Sequence, residues 1–340
     1  MPEKRIPVTI LTGFLGAGKT TALNHLIKNN PTTKFAIIEN EFGDIGIDND
    51  LVVGADSGIF ELSNGCICCS LNGELIDTLV ELVNSGKPFE HLIVETTGVA
   101  EPDGVAAAFV AEPAIQERFR LDATICIVDA HHGLESLEER EEAKRQATFA
   151  DVLVINKASE VEEADLEALK EVLMAANPLA SITRCDQGQL PNSLLHVQAY
   201  EDRTVEEKLQ NFNASVKHVC DEHCKHDHHD HKHNHNHSND IVTQSFVLDE
   251  PLDILKFRHW LNVLLVIQGQ HLYRVKGIVH FQYQDKKAIV QSVKKMCVFS
   301  SGQPWAEGEA RQSRLVFIGK NLRRDILEKQ LNHCLFKALV

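Results

Sequence analysis

Short apolar runs alternate with amphipathic segments along the first 186 residues of the chain. The runs are rich in β-branched residues and are bounded by polar or turn residues, as buried parallel strands are. They span residues 6–11, 35–39, 91–95, 123–128, 152–156 and 181–184. Segments with apolar residues at helical spacing lie between them and span 20–29, 71–84, 102–111, 134–150 and 162–176. This order predicts an α/β domain with a mostly parallel sheet and helices on both faces.

The pattern changes near residue 200. Residues 218–237 include nine histidines and show no apolar periodicity, which is typical of a polar linker. Beyond it, strand-like segments at 241–248, 273–283, 288–293, 296–300 and 314–318 mix irregularly with helical segments at 251–267 and 322–339. We therefore predict an α/β domain at 1–200, a linker at 201–240 and a smaller α+β domain at 241–340.

The first apolar run leads directly into the pattern G-x-x-x-x-G-K-T at residues 13–20. Glycines let the backbone wrap around phosphate oxygens, and the following helix presents its positive N-terminal end to the same anion. Lys19 adds a charge for the phosphates, and the Thr20 hydroxyl is a Mg²⁺ ligand in such loops. The pattern predicts a P-loop NTPase domain whose nucleotide contacts are Gly13, Phe14, Leu15, Gly16, Ala17, Gly18, Lys19, Thr20 and Thr21.

A second candidate nucleotide segment follows the run at 91–95, which ends in Glu95. In a protein with a phosphate loop, a carboxylate at this strand end can bind Mg²⁺ or its coordinated water, or can orient the attacking water. The Gly98 N–H can contact the γ-phosphate. We expect Lys19, Thr20 and Glu95 to be the catalytic residues and Gly98 to be a further nucleotide contact.

Asn156 and Lys157 end another run and match the start of the guanine-reading pattern N-K-x-D. Ser159 stands where that pattern has aspartate, and a hydroxyl cannot offer the paired acceptors of a carboxylate. We expect Asn156 and Lys157 to contact the nucleotide. The choice between GTP and ATP stays open at this position.

Three cysteines fall within four positions, at Cys66, Cys68 and Cys69. Thiolates suit Zn²⁺ or Cu(I), and a tetrahedral zinc site needs one further ligand. A carboxylate from the segment 39–44 could complete the site or contact Mg²⁺. The spacing predicts metal binding, with a redox switch as the alternative.

The histidine-rich tract is a second candidate metal-binding segment, because neutral imidazole binds Zn, Ni, Cu and Co. We expect it to capture or store metal with lower affinity than a preformed site, since ordering a linker costs conformational entropy. Its candidate ligands are His223, Cys224, His226, His228, His229, His231, His233, His235 and His237.

Composition narrows the class of protein. The net charge is −15, so a broad basic surface for nucleic acid is not expected. No run approaches the ~18 apolar residues of a membrane span. The segment before the phosphate loop is too short for a secretory signal. We expect a cytoplasmic protein without nucleic-acid or membrane partners, in which nine cysteines serve metal or redox chemistry.

Taken together, these motifs resemble the CobW-type metallochaperone GTPases, a family of SIMIBI-class P-loop GTPases. The resemblance covers nearly the whole chain. It rests on the segments 12–21, 39–43, 66–69, 95–98 with Pro102, 273–277 and 304–305.

The resemblance implies GTP hydrolysis with Mg²⁺ that is coupled to insertion of a metal into a client protein. Zinc is the expected ion, with cobalt or nickel as alternatives. By the same resemblance, Cys66, Cys68 and Cys69 hold the transferred ion, with Glu39 and Asp44 as nearby oxygen ligands. A homo-oligomer is left open.

Two other functions fit parts of the sequence. A zinc storage protein with weak hydrolysis would use the histidine tract and the cysteines. An ATP-using P-loop kinase would fit Ser159, but it offers no reason for the three cysteines.

Overall fold

The computed structural model describes residues 5–39, 60–63, 73–86, 88–220 and 241–337. The chain divides into two compact units. The first comprises Met1–Tyr200 with Ser292–Val298, and the second comprises Glu201–Gln291 with Phe299–Val340. Within the described ranges, every helix is too short or too polar to cross a membrane.

A parallel sheet forms the centre of the first unit. Its strands in the described ranges are β1 (Ile6–Gly13), β2 (Phe35–Glu39), β3 (Phe60–Ser63), β4 (His91–Glu95), β5 (Phe119–Asp129), β6 (Val152–Asn156) and β7 (Ser181–Arg184). Their spatial order is β3-β2-β4-β1-β5-β6-β7, and all neighbours run parallel. The carboxyl ends of these strands therefore meet at one edge, where ligands bind in open α/β sheets.

Helices cover both faces of this sheet. They are α1 (Lys19–Asn29), α2 (Gly73–Asn84), α3 (Pro102–Ala111), α4 (Pro113–Arg118), α5 (Gly133–Glu139), α6 (Glu141–Phe149) and α7 (Glu163–Ala176). Val8 and Ile10 of β1 belong to a core with α2 and α3, whereas Leu11 packs with α1. Alternate side chains of a strand point to opposite faces, so both faces are buried. The predicted α/β architecture is confirmed.

The first unit also has features that the pattern did not predict. β3 and α4 lie where neither strand nor helix was expected. The helix predicted at 134–150 is two helices, because Arg140 between them has an extended backbone with φ −114° and ψ 118°. The break falls in a run of charged residues, where hydrophobic spacing gives little information.

Strand β5 begins at Phe119 rather than at residue 123 because a buried carboxylate inside it is satisfied. Asp122 is fully buried. Its Oδ2 accepts a hydrogen bond from Val197 N at 2.9 Å, and Arg120 Nη1 donates to its Oδ1 at 3.2 Å. The register with β1 shifts at this residue, since Val8 pairs with Leu121 and Thr9 with Ala123, so the strand continues past the buried carboxylate through a local irregularity.

A second sheet has five strands within the described ranges. They are β8 (Ile241–Leu248), β9 (Leu272–Val279), β10 (Lys286–Val293), β11 (Met296–Pro304) and β12 (Ser313–Lys320). Their order is β11-β10-β9-β12-β8, with β9 antiparallel to β10 and β12 antiparallel to both β8 and β9. The helices are α8 (Asp202–Cys220), α9 (Ile254–Gln268) and α10 (Arg324–His333). This mixture agrees with the predicted α+β class.

Helix α8 lies in the first half of the segment that was predicted as a linker. Its Glu206 pairs with Lys287 of β10, which is 5% exposed. Glu309 Oε1 lies 2.8 Å from the same Lys287 Nζ, and the Trp305 ring centroid lies 5.1 Å from it. A buried cation needs such partners, so these contacts attach α8 to the second unit. Residues 221–240, the rest of the predicted linker, lie outside the described ranges.

Buried His91 makes the stability of the protein depend on pH. The side chain is 2% exposed, and its Nε2 lies 2.8 Å from Thr9 Oγ1. Burial, together with His196 and Arg120, lowers its pKa from 6.5 to about 3. At a pH between about 3 and 6.5, the imidazole is therefore protonated in the unfolded chain and neutral in the folded chain. The free energy of unfolding thus falls as the pH drops below 6.5.

We expect His91→Gln to remove this dependence, because glutamine does not titrate and keeps a polar group near Thr9. Between pH 7.5 and pH 5.5, the wild type should lose about 1.4 kcal/mol more free energy of unfolding than the variant. Urea unfolding at both pH values measures this difference. Parallel pH profiles for the two proteins would contradict the assignment.

Candidate functional site

The glycine-rich loop between β1 and α1 packs tightly against the end of β5. Gly13 has φ +144°, and a Cβ placed there would lie 2.2 Å from Ile127 O. Gly18 has φ +96° and directly precedes α1, with no side-chain cap on the helix. These conformations are accessible to glycine and strained for other residues. The loop therefore turns into α1 as a phosphate-binding loop does, with the helix N-terminus facing it.

Lys19 is the first residue of α1 and is half-buried. Its Nζ lies 3.5 Å from Phe14 O, at the long limit for a hydrogen bond. Burial lowers the pKa of the Lys19 ammonium, and the charge of Glu95 acts in the opposite direction. A cation held in a partly desolvated loop is stabilised by an anion, which is what a phosphate group supplies.

Thr20 and Glu95 meet at the carboxyl edge of the sheet. Thr20 Oγ1 donates a hydrogen bond of 2.8 Å to Glu95 Oε1. Glu95 ends β4, and its register partner on β2 is Glu39, which ends that strand. Each of the two glutamates is 7% exposed. Hydroxyl and carboxylate oxygens are ligands that Mg²⁺ prefers, so the residues beside the loop fit this ion.

Gly98 lies directly against the phosphate loop. A Cβ at Gly98 would lie 2.6 Å from Leu15 Cδ2, so a larger residue would push the two segments apart. Gln146 of α6 donates from Nε2 to Gly98 O at 3.0 Å and to Ala100 O at 3.1 Å. Gln146 is fully buried and holds the segment after Glu95 in place. Sequence reasoning missed this residue, since a glutamine in a helix gives no local signal of such a contact.

Asn156 connects three loops at the edge of the sheet. Its Nδ2 donates to Ala17 O at 2.9 Å, and its Oδ1 accepts from Gly188 N at 3.0 Å. Gly188 follows β7 with φ +69°, and a Cβ there would lie 2.7 Å from Ala22 N. The phosphate loop, the loop after β6 and the loop after β7 are therefore held together by one side chain.

Lys157 is also directed towards the phosphate loop. It has φ +61°, and its Nζ donates to Gly16 O at 3.1 Å and to Asp129 Oδ2 at 2.5 Å. Burial raises the pKa of Asp129, but hydrogen bonds from Lys157 and from the His131 N–H outweigh it, so the net pKa is lowered. Asp129 therefore stays ionised and fixes Lys157. The apolar run 123–128 stops one residue short of it, which is why it was not singled out.

Several predicted metal ligands lie outside the described residues. They are Asp44, Cys66, Cys68, Cys69 and the histidine-tract ligands from His223 to His237, including Cys224. Within the ranges that the structure describes, no three His, Cys, Asp or Glu side chains cluster as metal ligands do. The cysteine and histidine sites therefore stay predictions.

Two domain families match the chain, one on each side of the histidine tract. Residues 7–184 match the family described as CobW/HypB/UreG, nucleotide-binding domain. Residues 241–335 match the cobalamin synthesis protein cobW C-terminal domain. The chain belongs to the CobW/HypB/UreG family. The resemblance seen in the motifs is thereby confirmed.

Members of this family are similar to the chain over nearly its whole length. Zinc chaperone YjiA of Escherichia coli (strain K12) is 31% identical over 322 residues, which cover 93% of this chain and 95% of YjiA. Zinc chaperone CobW of Pseudomonas aeruginosa is 32% identical over 364 residues, which cover 97% of this chain and 92% of that protein. The crystal structure of Zn(II)-bound YjiA GTPase from E. coli matches with a TM-score of 0.72 at 28% identity and covers 98% of this chain and 99% of that chain.

We expect Asn156→Ala to weaken nucleotide binding, because it leaves the Ala17 carbonyl and the Gly188 N–H without their partner and releases the loops. The loss should be about 10- to 100-fold in Kd. Titration with a fluorescent guanine nucleotide measures it. Asn192→Ala is the matched control, since its exposed Oδ1 bonds only to Asn30 within the described residues and should leave Kd unchanged. Equal affinities for Asn156→Ala and the wild type would contradict this role.

Proposed function

We propose that this protein is a GTP-hydrolysing metallochaperone that binds Zn²⁺ at Cys66, Cys68 and Cys69 and transfers it to a client metalloprotein. One observation carries the proposal. Glu39 leads into the segment of the predicted metal ligands, and its register partner Glu95 bonds to Thr20 of the phosphate loop. In this scheme, a change at the nucleotide would act through Thr20 and Glu95 on the strand end beside the start of the metal segment.

The nucleotide chemistry follows from the loop. In hydrolysis, a water oxygen bonds to the γ-phosphorus while the bond to the bridging oxygen breaks, which yields GDP and inorganic phosphate. Lys19 would stabilise the negative charge that moves towards the bridging oxygen. Bound Mg²⁺ neutralises phosphate charge, and Thr20 and Glu95 would hold it. The Gly98 N–H, fixed by Gln146 through Gly98 O, would contact the γ-phosphate.

Zinc is the cargo in this scheme. Three thiolates and one oxygen ligand meet the preference of Zn²⁺ for four ligands, and Glu39 or Asp44 would supply the oxygen. Relatives across the full length of the chain carry the name zinc chaperone, which supports this choice of ion over cobalt or nickel. The histidine tract would collect metal for the cysteine site.

Nucleotide state and zinc affinity should be coupled. If the γ-phosphate reorders the segments after Glu39 and Glu95, Zn²⁺ affinity should differ between the complexes with GDP and with a non-hydrolysable GTP analogue. Reciprocal coupling between two sites is typically about 5- to 150-fold. Competition with a chromophoric zinc chelator measures the two affinities. Glu39→Gln should reduce the difference, and equal affinities in the wild type would refute the coupling.

The cysteine site is tested with cobalt as a spectroscopic substitute for zinc. Co²⁺ bound by thiolates absorbs strongly in the near ultraviolet and visible, and we expect Cys68→Ala to lose this absorption. Cys297→Ala, at a half-buried cysteine of β11, should keep it. Deletion of residues 218–237 should leave a single tight site. A zinc storage protein would instead lose most of its metal capacity with the tract.

A further inference from the structure

The guanine-reading position of this chain lacks its carboxylate. Guanine presents two donors, N1–H and the N2 amine, on its Watson–Crick edge, whereas adenine presents an acceptor at N1. A carboxylate accepts both guanine donors and is repelled by the adenine acceptor. Ser159 stands in the place of that carboxylate, and a hydroxyl has no such selectivity. GTP use, on which this inference rests, therefore needs another source of selectivity.

The loop after β7 brings a carboxylate to this position. Asp186 Oδ1 accepts a hydrogen bond of 2.7 Å from the backbone N–H of Ser159. Asp186 lies two residues before Gly188, which Asn156 fastens beside the phosphate loop. Its carboxylate is thus held next to the backbone from which the aspartate of N-K-x-D would project. Within the described ranges, the Ser159 N–H is the only hydrogen-bond donor to this carboxylate, so Oδ2 can accept another.

Two other carboxylates lie near the same edge, and both are engaged elsewhere. Glu160 Oε2 lies 3.2 Å from His131 Nε2 and follows the position of interest by one residue. Asp129 Oδ2 accepts from Lys157 Nζ at 2.5 Å, and its Oδ1 accepts from His131 N at 2.8 Å. Its position excludes Glu160 and its two hydrogen bonds exclude Asp129, so Asp186 is the carboxylate held at the place of the missing aspartate.

We propose that Asp186 reads guanine in this protein. It accepts hydrogen bonds from N1–H and the N2 amine, with the Ser159 N–H holding it in place. The guanine-reading carboxylate thus comes from the loop after β7 instead of the loop after β6. Binding of GTP over ATP follows without an aspartate at position 159.

Binding of fluorescent GDP, ADP and XDP to the full chain tests this role. Asp186→Asn should weaken GDP binding by about 10- to 100-fold, because its carboxamide turns an N–H group towards the guanine donors. The same N–H group suits the C2 carbonyl of xanthine, so the preference for XDP over GDP should rise. Asparagine keeps an oxygen for the Ser159 N–H, and the circular dichroism spectrum should therefore match the wild type.

A rescue variant separates base reading from a structural role. Ser159→Asp combined with Asp186→Asn returns a carboxylate to the usual position and should restore GDP binding. Glu160→Gln is the matched control and should leave the ratio of GDP to ADP affinity unchanged.

Three results would overturn the inference. An unchanged GDP to ADP ratio in Asp186→Asn overturns it alone, as does loss of that ratio in Glu160→Gln. Wild-type protein that prefers ADP would overturn both this inference and the GTP-dependent function.

Discussion

Close parallel packing of the central strands is the constraint on which the site depends. β1 lies between β4 and β5, and its last residue approaches β5 so closely that only a glycine fits. The chain then turns back into α1 with Lys19 and Thr20 at the helix start. A shift of the register between β1 and β4 by one residue would turn Glu95 to the other face of the sheet. The Thr20–Glu95 hydrogen bond would then be lost.

Charged groups are buried at the carboxyl edge of the parallel sheet, and a charged ligand would stabilise them. Glu39 and Glu95 end neighbouring strands and are both buried. Carboxylates at neighbouring strand ends repel each other when both are ionised, and a divalent cation relieves that repulsion. Lys19 is likewise a charge in a partly desolvated loop. Such an arrangement costs stability in the free protein, and an anion and a metal ion bound together would offset that cost.

Asn156 shows that a residue of a nucleotide motif can also have a structural role. It bonds to the phosphate loop on one side and to the loop after β7 on the other. The loops that would contact the phosphates and the base are thereby connected through one buried amide. This connection explains why Asp186, 27 residues along the chain from Ser159, lies beside it.

The sequence alone determined the α/β order of the first unit, the phosphate loop and the family. Each of these depends on local spacing, such as the apolar runs that became β2, β4 and β6 or the glycines of residues 13–18. Hydrophobic spacing did not predict β3 and α4, because both are short. It also did not predict the break at Arg140, which lies in a run of charged residues. Only the tertiary structure decided the partners of Asn156, the contact of Gln146 with Gly98 and the place of Asp186. These contacts join residues far apart in the chain, and their geometry is set by strand order and register, which no local pattern contains.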